Sequence, residues 1–214
     1  MGSHAGTEAV DRGKEWLVED FEQPSGRSGG IWYEFDQHSL GTIAQPDPFV
    51  LTPSGASGSP GHCAHIWGTL GANRAPWSWV QLQISLNQKK TAMDLGEYKS
   101  VRFSVKGDGG RYGIAFVKES VTDYDQFHYE FTAPQSWTEV SVPLSELRQH
   151  GWGRAVPNDL HDVKQIYFYP AQYDQAFDLS VDHLVLSQEE QGLQPIAYDT
   201  DGWFPWKGFE GNFA

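Results

Sequence analysis

Val101-Arg102-Phe103-Ser104-Val105, Tyr112-Gly113-Ile114-Ala115-Phe116, Phe127-His128-Tyr129-Glu130-Phe131 and Trp137-Thr138-Glu139-Val140-Ser141-Val142 are consecutive runs in which apolar residues recur at every second position. That period belongs to strands with one buried face. Turn chemistry separates the runs, as in Lys106-Gly107-Asp108-Gly109-Gly110 and Ala133-Pro134-Gln135-Ser136. The stretch from Tyr98 to Leu147 therefore reads as an antiparallel meander. If Val101, Phe103, Val105, Ile114, Phe116, Phe127, Tyr129, Phe131, Val140 and Val142 face a core, then Arg102, Ser104, Arg111, Gly113, His128, Glu130 and Ser141 share the other face. A face of Arg, His, Glu and glycine beside aromatic rings suits a polar ligand.

The same alternation continues on both sides. Trp16 to Glu22 predicts a first strand, Ile31 to Asp36 a second and Phe49-Val50-Leu51 a short third. Pro53 to Gly61 is rich in Gly, Ser and Pro and reads as a loop. Strands are expected at His62 to Gly68 and at Trp77 to Leu86, then beyond the meander at Val163 to Tyr169 and Phe177 to Leu186. Ser145 to Gln149 suits a single helical turn. Roughly ten short strands spaced roughly 8–15 residues apart, with almost no helical periodicity, indicate an all-β sandwich of two antiparallel sheets.

A chain of 214 residues suits one β-rich domain with extensions rather than two domains. Residues 1–15 read as a tag remnant, Met1-Gly2-Ser3-His4, with a flexible N-terminus; 16–187 form the domain; 188–214 are a linker and an aromatic, acidic tail. A net charge of −13 argues against nucleic acid or an anionic membrane as partner, since both would be repelled. No apolar run approaches the roughly twenty residues that span a bilayer, and no basic-then-apolar signal segment is visible. With Cys63 as the lone cysteine, an intrachain disulfide is ruled out. Nine Trp, nine Tyr and twelve Phe exceed what one sheet core ordinarily uses, so some are expected on a surface.

Asp94-Leu95-Gly96-Glu97-Tyr98-Lys99-Ser100-Val101-Arg102-Phe103-Ser104-Val105-Lys106-Gly107-Asp108-Gly109 resembles a signature shared by family 11 carbohydrate-binding modules and the related complex I intermediate-associated protein 30 domains. Val18 to Glu22, Trp137 to Leu147 and Val181 to Leu186 fit the same pattern in order, so the resemblance spans about residues 16–187. It implies a β-jelly-roll of galactose-binding-like type whose concave groove binds a β-glucan chain, cellulosic or mixed-linkage β-1,3-1,4. It also implies a structural calcium ion, no catalysis, and a monomeric module within a secreted, multimodular plant-polysaccharide hydrolase. The chain departs from the family at Gln149-His150-Gly151-Trp152, where Gly151 replaces an acidic sugar-binding position and Trp152 keeps an aromatic.

Sugar rings have an apolar C–H face and a polar rim, so aromatic platforms with hydrogen-bonding neighbours are sought. The candidate platforms are Trp32, Tyr33, Trp67, Trp77, Trp79, Trp152, Tyr167, Tyr169 and Tyr173; core packing is the competing reading of each. Tyr167 and Tyr169 stand out because Ile166 and Phe168 already claim the core side of their strand. Arg111, His128, Glu130 and Arg148 are the candidate rim. Asp123-Tyr124-Asp125-Gln126 reads as a loop that either closes one end of the groove or is a solvated turn, the second being the plainer reading. Asp20 and Glu22 on the first strand and Asp182 on the last would together attract a hard cation such as Ca²⁺, against the plainer reading of exposed acids in an acidic protein. Two other functions compete with glycan binding. One is a jelly-roll glycosidase or lyase using Glu130 with Asp125 or His128; the other is a protein-interaction domain.

Overall fold

The computed structural model describes residues 13–27, 30–35, 41–56, 61–74 and 77–190. The expected N-terminal extension up to residue 12 and the tail from residue 191 lie outside them. The strands are β1 (Glu15–Glu19), β2 (Ile31–Phe35), β3 (Ile43–Gln45), β4 (Ala64–Leu70), β5 (Val80–Ser85), β6 (Ser100–Gly107), β7 (Arg111–Lys118), β8 (Phe127–Thr132), β9 (Thr138–Pro143), β10 (Val163–Pro170) and β11 (Gln175–Ser187). One 3-10 turn, Leu144–Glu146, follows β9. None of the described helical segments is long and apolar enough to cross a membrane.

Two antiparallel sheets result. One runs β3-β4-β11-β6-β9 with β1 added alongside β11; the other runs β2-β5-β10-β7-β8. The all-β sandwich is as the sequence predicts, but the meander is not. β6 pairs with β9 and β11 in the six-stranded sheet, whereas β7 pairs with β8 and β10 in the five-stranded one. The short turn after β6 is an arch between layers rather than a hairpin. Arg102, Ser104 and Ser141 consequently sit on a different sheet from Arg111, Gly113, His128 and Glu130.

The alternating apolar residues meet between the sheets. Phe103 of β6 contacts Phe131 of β8 and Phe168 of β10 at ring-centroid distances of 5.2 and 5.1 Å. Each such ring, withdrawn from water, contributes about 1.5–3 kcal/mol before entropy is counted. On β5 the buried side is Val80, Leu82 and Ile84, which leaves Trp79 outside. The predicted strand at Phe49–Leu51 is absent; Phe49 and Leu51 pack on the core without a ladder, and β3 forms instead six residues earlier. The 13-residue β11 changes register between Asp182 and Val185, with His183 at φ 49°. Asp182, just before the bulge, pairs with outward-facing Ser104 and is nonetheless fully buried, against the segment whose Ala56 amide it accepts.

Candidate functional site

The outward face of the five-stranded sheet is assembled row by row from strand register. Tyr167 pairs with Gln83 on one side and Ala115 on the other, and Ala115 pairs with His128. One row on, Tyr169 pairs with Gly113, and Gly113 with Glu130. Ile166 and Phe168 are buried, so Tyr167 and Tyr169 must project outward, as the alternation predicts. Their ring centroids are 5.7 Å apart. The Tyr169 ring lies across Gly113: a β-carbon there would stand 2.1 Å from the tyrosine Cζ. Gly113 thus leaves room on β7 for the Tyr169 ring, and the Tyr167 ring beside it is tilted 58° from that plane.

Amide groups floor the adjoining strip. Gln165 Nε2 donates to Gln83 Oε1 at 2.6 Å, and Gln83 Nε2 donates to Gln81 Oε1 at 3.1 Å. These glutamines were missed in the sequence, although the parity that buries Leu82 and Ile84 places Gln81 and Gln83 on the opposite face. Trp79 continues that parity beyond the strand, and Trp77 lies two residues earlier. Ser78 between them is buried and donates its hydroxyl to Ala72 O at 3.0 Å. Trp77 and Trp79 remain 36 and 38% exposed. In β2, Trp32 pairs with Gln83 and Tyr33 with Leu82.

The far wall comes from β8 and the segment after the 3-10 turn. His128 stacks on His150, ring centroids 3.7 Å apart and 22° from parallel. Arg111 Nη1 lies 3.8 Å from Glu130 Oε2. Arg148 bridges to His128 through the backbone, and its guanidinium donates to Glu146 at 2.8 Å, so it is an exposed rim residue. Trp152 is 43% exposed beyond it. What holds this loop is Asp125, which the sequence assigned to a solvated turn. It is fully buried, accepting the His150 amide at 2.8 Å and those of Gly151 and Gly153 at 2.9 Å.

Electrostatics keep the site uncharged apart from its rim. Burial, aided by the neighbouring His150, pushes His128 down to about 4, and lost hydration also lowers His150. Burial raises Glu130, with Arg111 pulling the other way. Tyr167 and Tyr173 are raised by burial, with Glu130 adding to the effect at Tyr173. Neutral imidazoles, phenols and carboxamides both donate and accept hydrogen bonds, which matches the hydroxyl rim of a saccharide.

Trp67 does not join this face. It lies on the outside of the six-stranded sheet, its ring 4.6 Å from that of His65, which in turn contacts Asp178 at 3.0 Å. The carboxylates expected to hold calcium are engaged separately. Asp20 pairs with Arg27 at 2.7 Å, Glu22 accepts the His62 amide at 3.2 Å, and Asp182 accepts the amides of Ala56 at 2.7 Å and His183 at 2.8 Å. Among the described residues no three His, Cys, Asp or Glu side chains gather as a cation would require, so Asp20, Glu22 and Asp182 as placed do not fit calcium. Glu19 beside them is as fully buried as Asp182 and accepts amides of Phe21 and Arg27 at 3.0 and 2.7 Å.

The family model for complex I intermediate-associated protein 30 (CIA30) matches residues 54–181, which include the strands from β4 to β10 and part of β11. The chain belongs to the CIA30 family. Its fold is that of the family 11 carbohydrate-binding modules. The module from Clostridium thermocellum, solved in complex with a beta-1,3-1,4-mixed-linked tetrasaccharide, is 16% identical with a TM-score of 0.58, over 81% of this chain and 95% of that one. The family 30 module of the cellulosomal cellulase Cel9D-Cel44B of Clostridium thermocellum is 15% identical with a TM-score of 0.56, over 83% and 99% of the two chains. Endoglucanase 3 of Fibrobacter succinogenes is 23% identical over 162 residues. That match takes in 71% of this CIA30-family chain and 24% of the endoglucanase, so the chain spans about a quarter of that relative.

Proposed function

We propose that the protein is a non-catalytic module that binds a β-glucan chain, cellulosic or mixed-linkage, along the outward face of the five-stranded sheet. The observation that carries this is the adjacent pair of outward rings, Tyr167 and Tyr169, beside a ladder of glutamine amides. Aromatic faces take up the C–H faces of equatorially substituted pyranoses, and the half-buried Gln81 and Gln165 amides and the imidazoles meet the hydroxyls, while Gln83 is buried between those two amides. The tetrasaccharide held by the similar Clostridium thermocellum module supports the ligand class. The partial match to an endoglucanase supports attachment to a secreted, extracellular hydrolase in which this chain acts as a monomeric targeting unit. Affinity electrophoresis through gels containing mixed-linkage glucan, hydroxyethylcellulose, xylan or mannan tests the proposal. Retardation in the two glucan gels is expected; unretarded migration in both overturns it.

A further inference from the structure

We infer that Gly113 is the positioning residue of the saccharide platform: its missing side chain is what lets the Tyr169 ring lie flat across β7. The inference rests on the glycan-binding reading of this face and adds a determinant to it. A β-carbon built at Gly113 would meet the Tyr169 atoms Cζ, Cε1 and Oη at 2.1, 2.3 and 2.4 Å, and these are the three nearest heavy atoms. Real β-carbons do not approach other atoms so closely, so one partner must move. The atoms in the way are the far end of a side chain, not backbone, and the ring is what yields.

The backbone at Gly113 does not itself call for glycine. It is an interior position of β7, paired on both sides with Tyr169 and Glu130, and its φ lies outside the left-handed region that favours glycine. Glycine within a strand costs stability relative to alanine, roughly 0.5–1 kcal/mol. What the sheet loses there, the platform gains in a ring that presents its face rather than its edge. Ala115, opposite Tyr167, is likewise small. A methyl group at 113 should therefore stand the Tyr169 ring off the sheet while leaving the fold intact or slightly firmer.

Wild type, Gly113→Ala, Tyr169→Ala and the double variant are to be titrated with a mixed-linkage β-glucan tetrasaccharide, melted thermally, and nitrated with tetranitromethane with the modified tyrosines mapped by mass spectrometry. Gly113→Ala is expected to melt no lower than wild type, to bind about tenfold more weakly, and to nitrate several-fold faster at Tyr169. The double variant is expected to bind no more weakly than Tyr169→Ala alone, because the added methyl then has no ring to displace. Unchanged nitration at Tyr169 in Gly113→Ala, or losses that add fully in the double variant, overturns the inference. Absence of binding by wild type instead overturns the glycan reading, and nitration still decides the role of Gly113.

Discussion

The imidazoles of His128 and His150 stack face to face at 3.7 Å, and this contact joins β8 to the loop that carries Trp152. Lost hydration lowers both imidazoles, His128 down to about 4, although His150 stays exposed at the surface. In the unfolded chain a histidine titrates near 6.5, so between roughly 6.5 and 4 the unfolded state binds more protons than the folded one. Their contribution to stability is therefore complete above pH 6.5 and is lost as pH falls towards 4. Glu19 and Glu130, raised by burial, oppose this in the acid range. His128→Phe, which keeps a ring on His150, is expected to flatten the slope of unfolding free energy against pH in this window by up to about one proton, roughly 1.4 kcal/mol per pH unit. Denaturant melts at several pH values measure it; an unchanged slope contradicts the neutral pair.

Asp125 organises the loop on the other side of that stack. Its two carboxylate oxygens satisfy the amides of His150, Gly151 and Gly153. Asp125→Ala should strand these donors and cost about 3 kcal/mol or more, since each buried unsatisfied group costs about 1–3 kcal/mol. The expected result is a lowered denaturation midpoint together with faster amide exchange confined first to residues 149–154. A variant as stable as wild type would show that the loop does not depend on this carboxylate.

Lys118 anchors the next turn of the same segment from within the sheet. Its ammonium is almost wholly buried, donating to Pro157 O at 2.8 Å and to Asp159, whose carboxyl it holds below the usual range. Lys118→Ala removes a buried side chain and its ion pairs with Asp159 and Asp162, both partly exposed, and should destabilise by about 1–3 kcal/mol. Lys118→Met, which keeps the buried stem but loses the ammonium that lies 5.6 Å from the Phe127 ring centroid, should recover part of that. Equal losses in both variants would assign the effect to the lost ammonium alone, with nothing from packing.

How much of this was legible in the sequence follows from what alternation encodes. Period two in Val163 to Tyr169 fixes which side chains leave the core, so Tyr167 and Tyr169 could be picked out, and the same rule should have picked Gln81 and Gln83. Alternation says outward, never on which sheet. That is why Trp67, with the same pattern as the groove residues, lies on the other layer. The arch after β6 looked like a hairpin because Gly107 to Gly110 is equally good chemistry for either. Ile43-Ala44-Gln45 carries too few residues to show a period, and Asp125 sits among polar neighbours while its partners lie some 25 residues on.

The corner of Asp20, Glu22 and Asp182 yields a prediction about metal. Each carboxylate there already has an Arg, His or amide partner, and Asp182 is buried with its oxygens on the Ala56 and His183 amides. Melting in excess EDTA and in excess calcium is expected to differ by less than about 2 °C. A cation held at a hundred times its Kd adds roughly 2.7 kcal/mol, which in a chain of this size amounts to roughly 5–10 °C. A shift of that order would mean that these carboxylates exchange their present partners for a cation.

Trp67 and Tyr167 provide the sharpest comparison, because both were picked out as platforms and the fold separates them onto opposite faces. Removing a ring that stacks on a sugar should cost about tenfold in affinity, or roughly 1.4 kcal/mol, whereas removing one that touches no ligand should cost nothing in binding. Tyr167→Ala is expected to weaken binding of a mixed-linkage glucan by about that factor, since its ring shares a row with Gln83 and His128 on the groove face. Trp67→Ala removes an exposed indole whose neighbours are His65 and Asp178, and should leave the affinity within about twofold of wild type. Isothermal titration of both variants with the same oligosaccharide checks the pair. Weaker binding by Trp67→Ala with Tyr167→Ala unaffected would move the glycan to the six-stranded sheet.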